Sequence, residues 1–383
     1  MKVSKAVAKM AIPSVISSLV TVVYNMADTF FVGQTGDPLQ VAAVSLTNPI
    51  FILFMAFANM FGMGGSAAAS MALGEKKEKR VKQVSSFITY ASLIVGIVFA
   101  AILLVGMQPV LQLFGADADT YELAKGYTTY ISYGAPFIIW SAAASFVVRA
   151  DGASREAMTG SMIGTVANII LDPIFISGFG MGAAGAAIAT TIGNIMASVY
   201  YLWYFCRKSR NMSMAFRYFK CGDRILSQVC SAGLPTAIFS ALMSISTIIL
   251  NQILVAYGNA PVAAIGIVFK ANMFITFLQM GLANGVQPLL GYSYGAGNRE
   301  RFIAVERYTK KCCLIVGVLA TALFFFFREP IIRLFISDTE VINYGVEMLI
   351  AYMISGPVIG ILFMNMNCMQ SVSYTHLRAH ETL

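Results

Sequence analysis

The sequence predicts an all-α, polytopic membrane protein with about ten transmembrane helices, and three observations predict it. Of 383 residues, 58% are hydrophobic and 11% charged, against ~25% charged in a soluble domain. The apolar residues fall in blocks of about 20 or more, long enough at ~1.5 Å rise per residue to cross a ~30 Å hydrocarbon layer. Glycine is abundant at 32 residues, as expected of lipid-embedded helices that pack through small side chains.

Taken in order, the spans are 7–32, 40–72, 83–107, 121–148, 157–178, 182–206, 227–257, 261–295, 309–327 and 344–370. With a cytoplasmic N-terminus, 21 of the 26 Lys and Arg fall on inside segments, clustered at 2–9, 76–82, 149–155, 207–224 and 299–311. The outside loops hold Lys125, Arg328 and Arg333. This positive-inside bias accounts for the +8 formal charge without a nucleic-acid partner. Cys206, Cys221, Cys230, Cys312, Cys313 and Cys368 lie at or near inner ends, where thiols stay reduced, so no disulfide is expected. Lys2 to Lys9 resembles a signal-peptide n-region, but the following span is too long for one and carries Asp28.

The chain repeats itself. Ala11-Ile12-Pro13 resembles Gly233-Leu234-Pro235, and Val41-Ala42-Ala43 lines up with Val262-Ala263-Ala264, an offset of 262 − 41 = 221. The same offset pairs Gly64 with Gly285, Gly74 with Gly295, Arg80 with Arg301 and Pro136 with Pro357. Two homologous halves in parallel orientation are implied. The division expected is an N-terminal bundle over 1–206 (spans 1–6), a cytoplasmic linker over 207–226 and an incomplete C-terminal bundle over 227–372 (spans 7–10). Residues 373–383 have no counterpart in the first half and read as a foreign tail on a C-terminally truncated second bundle, a genuine short cytoplasmic tail being the alternative. His376 and His380 stand at i, i+4 in that tail; without a third ligand they do not make a metal site.

A charge inside the hydrocarbon costs ~2.5–3.5 kcal/mol on insertion scales, so each needs a reason. Asp28, Asp172 and Lys270 are the ionisable residues well inside spans. Asp28 lies five residues before Gly33 and Asp172 six before Gly178. Both spans run inside to outside, so the two carboxylates share a depth ~8–9 Å below the outer end. Each has an amide on its own helix face, Asn25 at i−3 and Asn168 at i−4. A single such aspartate reads equally well as one that snorkels or caps a neighbour; two at matched depth, each with an Asn, read as a functional pair. A partly dehydrated carboxylate resists ionisation, so it can hold a proton, exchange it for Na⁺, or release it to a cationic substrate. That is antiporter chemistry. No nucleophile–base set, P-loop or dinucleotide fingerprint marks an enzyme.

Lys270 faces either a water-filled cleft, where it would steer cations, or an interface reached by its long stem. Tyr24, one turn before Asp28, is a further candidate for the substrate cavity. Pro13 lies 15 residues before Asp28 and permits a hinge in span 1.

Pro13, Asn25-Met26-Ala27-Asp28 with Gly33, and Asn168 with Leu171-Asp172-Pro173 resemble the multidrug and toxic compound extrusion (MATE) family, as does Pro288-Leu289-Leu290-Gly291-Tyr292-Ser293-Tyr294-Gly295-Ala296. The resemblance covers about residues 5–372. It implies two pseudo-symmetric six-helix bundles facing each other in a V and export of cationic drugs against H⁺ or Na⁺. It also implies a multi-pass monomer in the bacterial inner (plasma) membrane, in contact with lipid and without organic cofactor. By position, Asp28, Asn168 and Asp172 match the family's first-half cation site, and Thr190 falls where that site has a threonine. Na⁺ at Asp28 and Asp172 is then the one metal expected. Spans 7 and 8 carry no Asp or Glu that would place the site in the second half. Two other readings stand: a flippase for lipid-linked oligosaccharides or peptidoglycan precursors, which would favour cations in its cavity, and a non-transporting receptor or scaffold, which leaves the buried acids unexplained.

Overall fold

The computed structural model describes residues 1–33, 38–220, 222, 224–336 and 338–379, with the backbone alone beyond Val372. The first half contains α1 (Val3–Gly33), α2 (Pro38–Gly74), α3 (Glu78–Val105), the short α4 (Met107–Leu113), α5 (Tyr121–Ala150), α6 (Ser154–Pro173) and α7 (Gly182–Arg207). The second contains α8 (Ile225–Val255), α9 (Asn259–Gly295), α10 (Arg299–Phe326), the short α11 (Arg328–Arg333), α12 (Thr339–Met353) and α13 (Gly356–Ala379). Among the described residues, nine helices are long and apolar enough to cross a membrane, or ten with the bent pair α12–α13 counted as one. The side chain of His376, residue His380, Cys221 and the side chains of the tail 373–383 lie outside the described residues.

Helix bounds carry the repeat. α2 and α9 begin at 38 and 259 and end at 74 and 295; α3 and α10 span 78–105 and 299–326. Lipid-facing side chains follow the same register. Ile94, Ile97, Val98 and Ile102 are exposed on α3, and Ile315, Val318, Leu319 and Leu323 on α10. Their spacing of three and four residues makes one apolar stripe per helix, as a lipid-facing surface requires.

Two expectations need correction. The tenth span, read as one helix over 344–370, breaks after Met353 and bends by 46° before Gly356. Pro357 cannot donate an intrahelical hydrogen bond and crowds the preceding turn, and Gly356 gives no resistance. Its mate Pro136 nevertheless sits inside unbroken α5. The ninth span begins at Arg299, ten residues before the apolar window at 309. There Asn298 caps the helix by accepting from the Arg301 N–H at 2.9 Å, and the charged first turns continue the helix into water.

α5 is the hub of the first half, packing on α2, α3, α6 and α7, while α1 leans on α6. The halves meet where α1 packs on α9, and α2 on both α8 and α9. This seam is built on glycine. A Cβ on Gly64 would strike the Val229 carbonyl, one on Gly233 the Met60 carbonyl, one on Gly285 the Ala11 Cα, and one on Gly295 the Met71 carbonyl. These residues lie toward the basic ends of their helices. Between α7 and α8, the chain docks on α3: Ser85 Oγ donates to Ser213 O at 2.9 Å and Tyr90 Oη to Met214 O at 3.0 Å. Cys206, Cys312, Cys313 and Cys368 are free thiols.

Candidate functional site: a buried carboxylate beside a hydroxyl-lined cavity

Gly164 on α6 and Gly193 on α7 face each other so closely that a Cβ on either would strike the other's carbonyl oxygen. This approach sets Asn168, one turn beyond Gly164, against Thr190, one turn before Gly193. Asn168 accepts from the Thr190 backbone N–H at 2.9 Å and its hydroxyl at 3.2 Å, and donates to Asp172 Oδ2 at 2.9 Å. The reversed amide would set oxygen against carboxylate; this orientation satisfies both ends. The Thr190 hydroxyl lies 3.5 Å from that of Tyr24 on α1.

Asp172 is fully buried at 0% exposure, and its Oδ1 has no hydrogen-bond partner among the described residues. Immediately after it, Pro173 withholds an N–H and the chain loosens into a π turn over Ile174–Gly178, a geometry frequent at functional sites. Asp28, half-buried on α1, exerts its charge on Asp172, and the hydroxyls of Tyr24 and Tyr127 lie in the field of both carboxylates.

Tyr24, Asn168 and Thr190 also form one end of a cavity of about 270 Å³ lined by α1, α2, α5, α6, α7 and α9. Its walls carry the hydroxyls of Ser14, Ser17, Ser18 and Thr21 on α1, and the apolar side chains of Phe51, Met55, Phe277 and Met280. Among the described residues its one charged lining residue is Arg149, in the last turn of α5. The guanidinium donates to Ser14 Oγ at 3.1 Å and Ser145 Oγ at 3.2 Å, and stacks 4.5 Å above the Phe146 ring.

The structure thus brings Asp28, Asp172, Asn168, Thr190 and Tyr24 together. Asn25 is half-buried one turn before Asp28 and does not line the cavity. Lys270 is exposed and outside the cavity lining. Pro13 is buried within α1, which runs on as one helix. Sequence reasoning missed Tyr127 and Arg149. For Arg149 a signal existed: its register mate is the neutral Gln370, so the charge belongs to one half only.

The MatE family model matches residues 13–174 and 235–379. The chain belongs to the MatE family. Multidrug export protein MepA of Staphylococcus saprophyticus is 31% identical over 369 residues, which are 96% of this chain and 82% of that protein. The crystal structure of MATE in complex with MaD3S superposes with a TM-score of 0.92 at 25% identity, covering 97% of this chain and 83% of the other. The outward-facing conformation of a multidrug resistance MATE family transporter of the MOP superfamily gives 0.89 at the same identity and coverage. Within this MatE chain, Asp28, Asn168 and Asp172 all fall in the first matched segment, and Thr190 lies just beyond it.

Proposed function

We propose that this MATE efflux transporter exports lipophilic organic cations in exchange for H⁺ or Na⁺ held at Asp28 and Asp172. The observation that carries the reading is the buried Asp172 carboxylate, with one oxygen unpartnered and a second carboxylate acting on it. Burial of an uncompensated carboxylate is so costly that the group neutralises or pairs instead. A proton on the pair, or a sodium ion taken by the carboxylates with the Thr190 hydroxyl and Asn25 nearby, meets that need. The Asn168–Thr190–Tyr24 chain links the ion to the cavity, so occupancy of one alters the other. Alternating access would then carry the exchange, with α1 hinging at Pro13 and the N-terminus on the cytoplasmic side. The transporter works as a monomer and is not an enzyme; the name of its staphylococcal relative supports drugs as substrates and the bacterial plasma membrane as its location.

Arg149 favours one other reading, a flippase whose cavity cation holds a lipid pyrophosphate, although a single arginine is a thin set of donors for that charge. Proteoliposomes loaded with ethidium decide between them. Efflux driven by an imposed pH or Na⁺ gradient is expected, and the gradient that drives it names the ion. Asp28→Asn and Asp172→Asn are each expected to abolish efflux. Unchanged efflux in both variants overturns the site, and translocation of a polyprenyl pyrophosphate without ethidium efflux overturns the function.

A further inference from the structure

Arg149 is the one full charge lining the cavity among the described residues, and its partners are neutral: Ser14, Ser145 and the Phe146 ring. Behind it, Ser145 Oγ lies 3.5 Å from Ser161 Oγ, and Ser161 Oγ 3.0 Å from Tyr201 Oη, which donates to Ala157 O at 2.8 Å. The hydroxyl relay satisfies itself through a backbone carbonyl and supplies no counter-charge.

The second half shows what this position does when its role is purely structural. Its register mate Gln370 is 3% exposed, donates to Thr236 Oγ1 at 2.6 Å and accepts from Gln287 Nε2 at 3.1 Å. Thr236 follows Pro235 as Ser14 follows Pro13, so the two contacts correspond through the proline motif, one residue off the register that pairs Arg149 with Gln370. A neutral amide therefore suffices to tie these helices. The arginine adds a full charge and a planar fork of donors, which matches a carboxylate in two parallel bonds.

We propose that Arg149 is an anion-binding residue of the substrate cavity, and that among organic cations it favours those that also carry a carboxylate at the end remote from the ammonium. The carboxylate docks on Arg149 between Ser14 and Ser145. The ammonium points toward Tyr24, Asn168 and Thr190, next to the field of Asp28 and Asp172. On α1 the two ends of the cavity, at Ser14 and Tyr24, are ten residues apart, or ~15 Å of helix. A substrate with its charges about 10–15 Å apart fits that span. The inference rests on the cavity being the substrate route, as proposed above.

The test uses a matched dye pair: a styrylpyridinium dye with a carboxylate on its far ring, within the span of about 10–15 Å from the pyridinium, and the cationic methyl ester of the same dye. Binding to the purified full chain is followed by fluorescence anisotropy, so the result does not depend on transport. The native protein is expected to bind the carboxylate dye about tenfold or more tighter than the ester, the scale of one charge-assisted pair. Arg149→Gln is expected to erase that preference, and Arg149→Lys to keep part of it. Equal binding of both dyes by the native protein overturns the inference, and so does an equal loss for both dyes in Arg149→Gln. Ester efflux from proteoliposomes reports separately on the transport reading, which can fail while the dye preference stands.

Discussion

Asp172 keeps its place through Asn168, whose amide is the one group among the described residues that donates to the carboxylate. Removing that amide leaves both oxygens unmatched in a buried position. Asn168→Leu is therefore expected to cost about 1–3 kcal/mol of stability, read by thermal unfolding in detergent. Replacing both residues, Asn168→Leu with Asp172→Leu, is expected to recover part of the loss, because the buried carboxylate leaves with the amide and only the Thr190 N–H and hydroxyl lose a partner. Both variants are expected to lack ion-coupled efflux. A double variant less stable than Asn168→Leu alone would contradict this account of the pair. The aspartates and Asn168 were legible in the sequence because a charge or an i−4 amide in an apolar span stands out without any tertiary knowledge. Tyr127 was not, since tyrosine near a span end is an ordinary interfacial residue, and Arg149 showed only through its neutral register mate Gln370, arginine at a helix terminus being equally ordinary. Only the rotation of α5 about its own axis turns them inward, and spacing along one helix does not encode that rotation.

At the scale of helices, the α6–α7 contact decides whether the site exists. Gly193 sits against the Gly164 carbonyl and Asn168 Cβ, so a side chain there must force the helices apart. Gly193→Val is expected to destabilise by about 1–3 kcal/mol through overpacking and to abolish efflux. At Gly266 on α9 an added Cβ would meet nothing within 4 Å, and Gly266→Ala is expected to leave efflux intact while gaining about 0.5–1 kcal/mol of helix stability. Thermal unfolding with ethidium efflux measures both. Element bounds were readable from apolar length plus the 221-residue register, which set α2 against α9 and α3 against α10. The break before Gly356 was not, because Pro136 and Pro357 look alike in sequence. The difference lies in how neighbours hold each helix, and α5, packed on four sides, stays whole.

For the molecule as a whole, the glycine seam joins the halves at their basic ends. Any state open on that side must part α1 from α9 and α2 from α8. Gly64→Ala places a methyl group against the Val229 carbonyl and is expected to weaken the closed seam. Spin labels at Lys79 and Glu300, both exposed and on opposite halves, report it as a longer distance population. An unchanged distance distribution would show that the seam is not the closing contact.

Gly64 and Gly285 are register mates that act on different helix pairs, one against α8 and one against α1. Free energies at separate sites add, so the odds of open to closed multiply: if each alanine shifts them about tenfold, the two together shift them about a hundredfold. The repeated glycine would thereby act as a graded control, in which altering one copy takes half the logarithmic step of altering both.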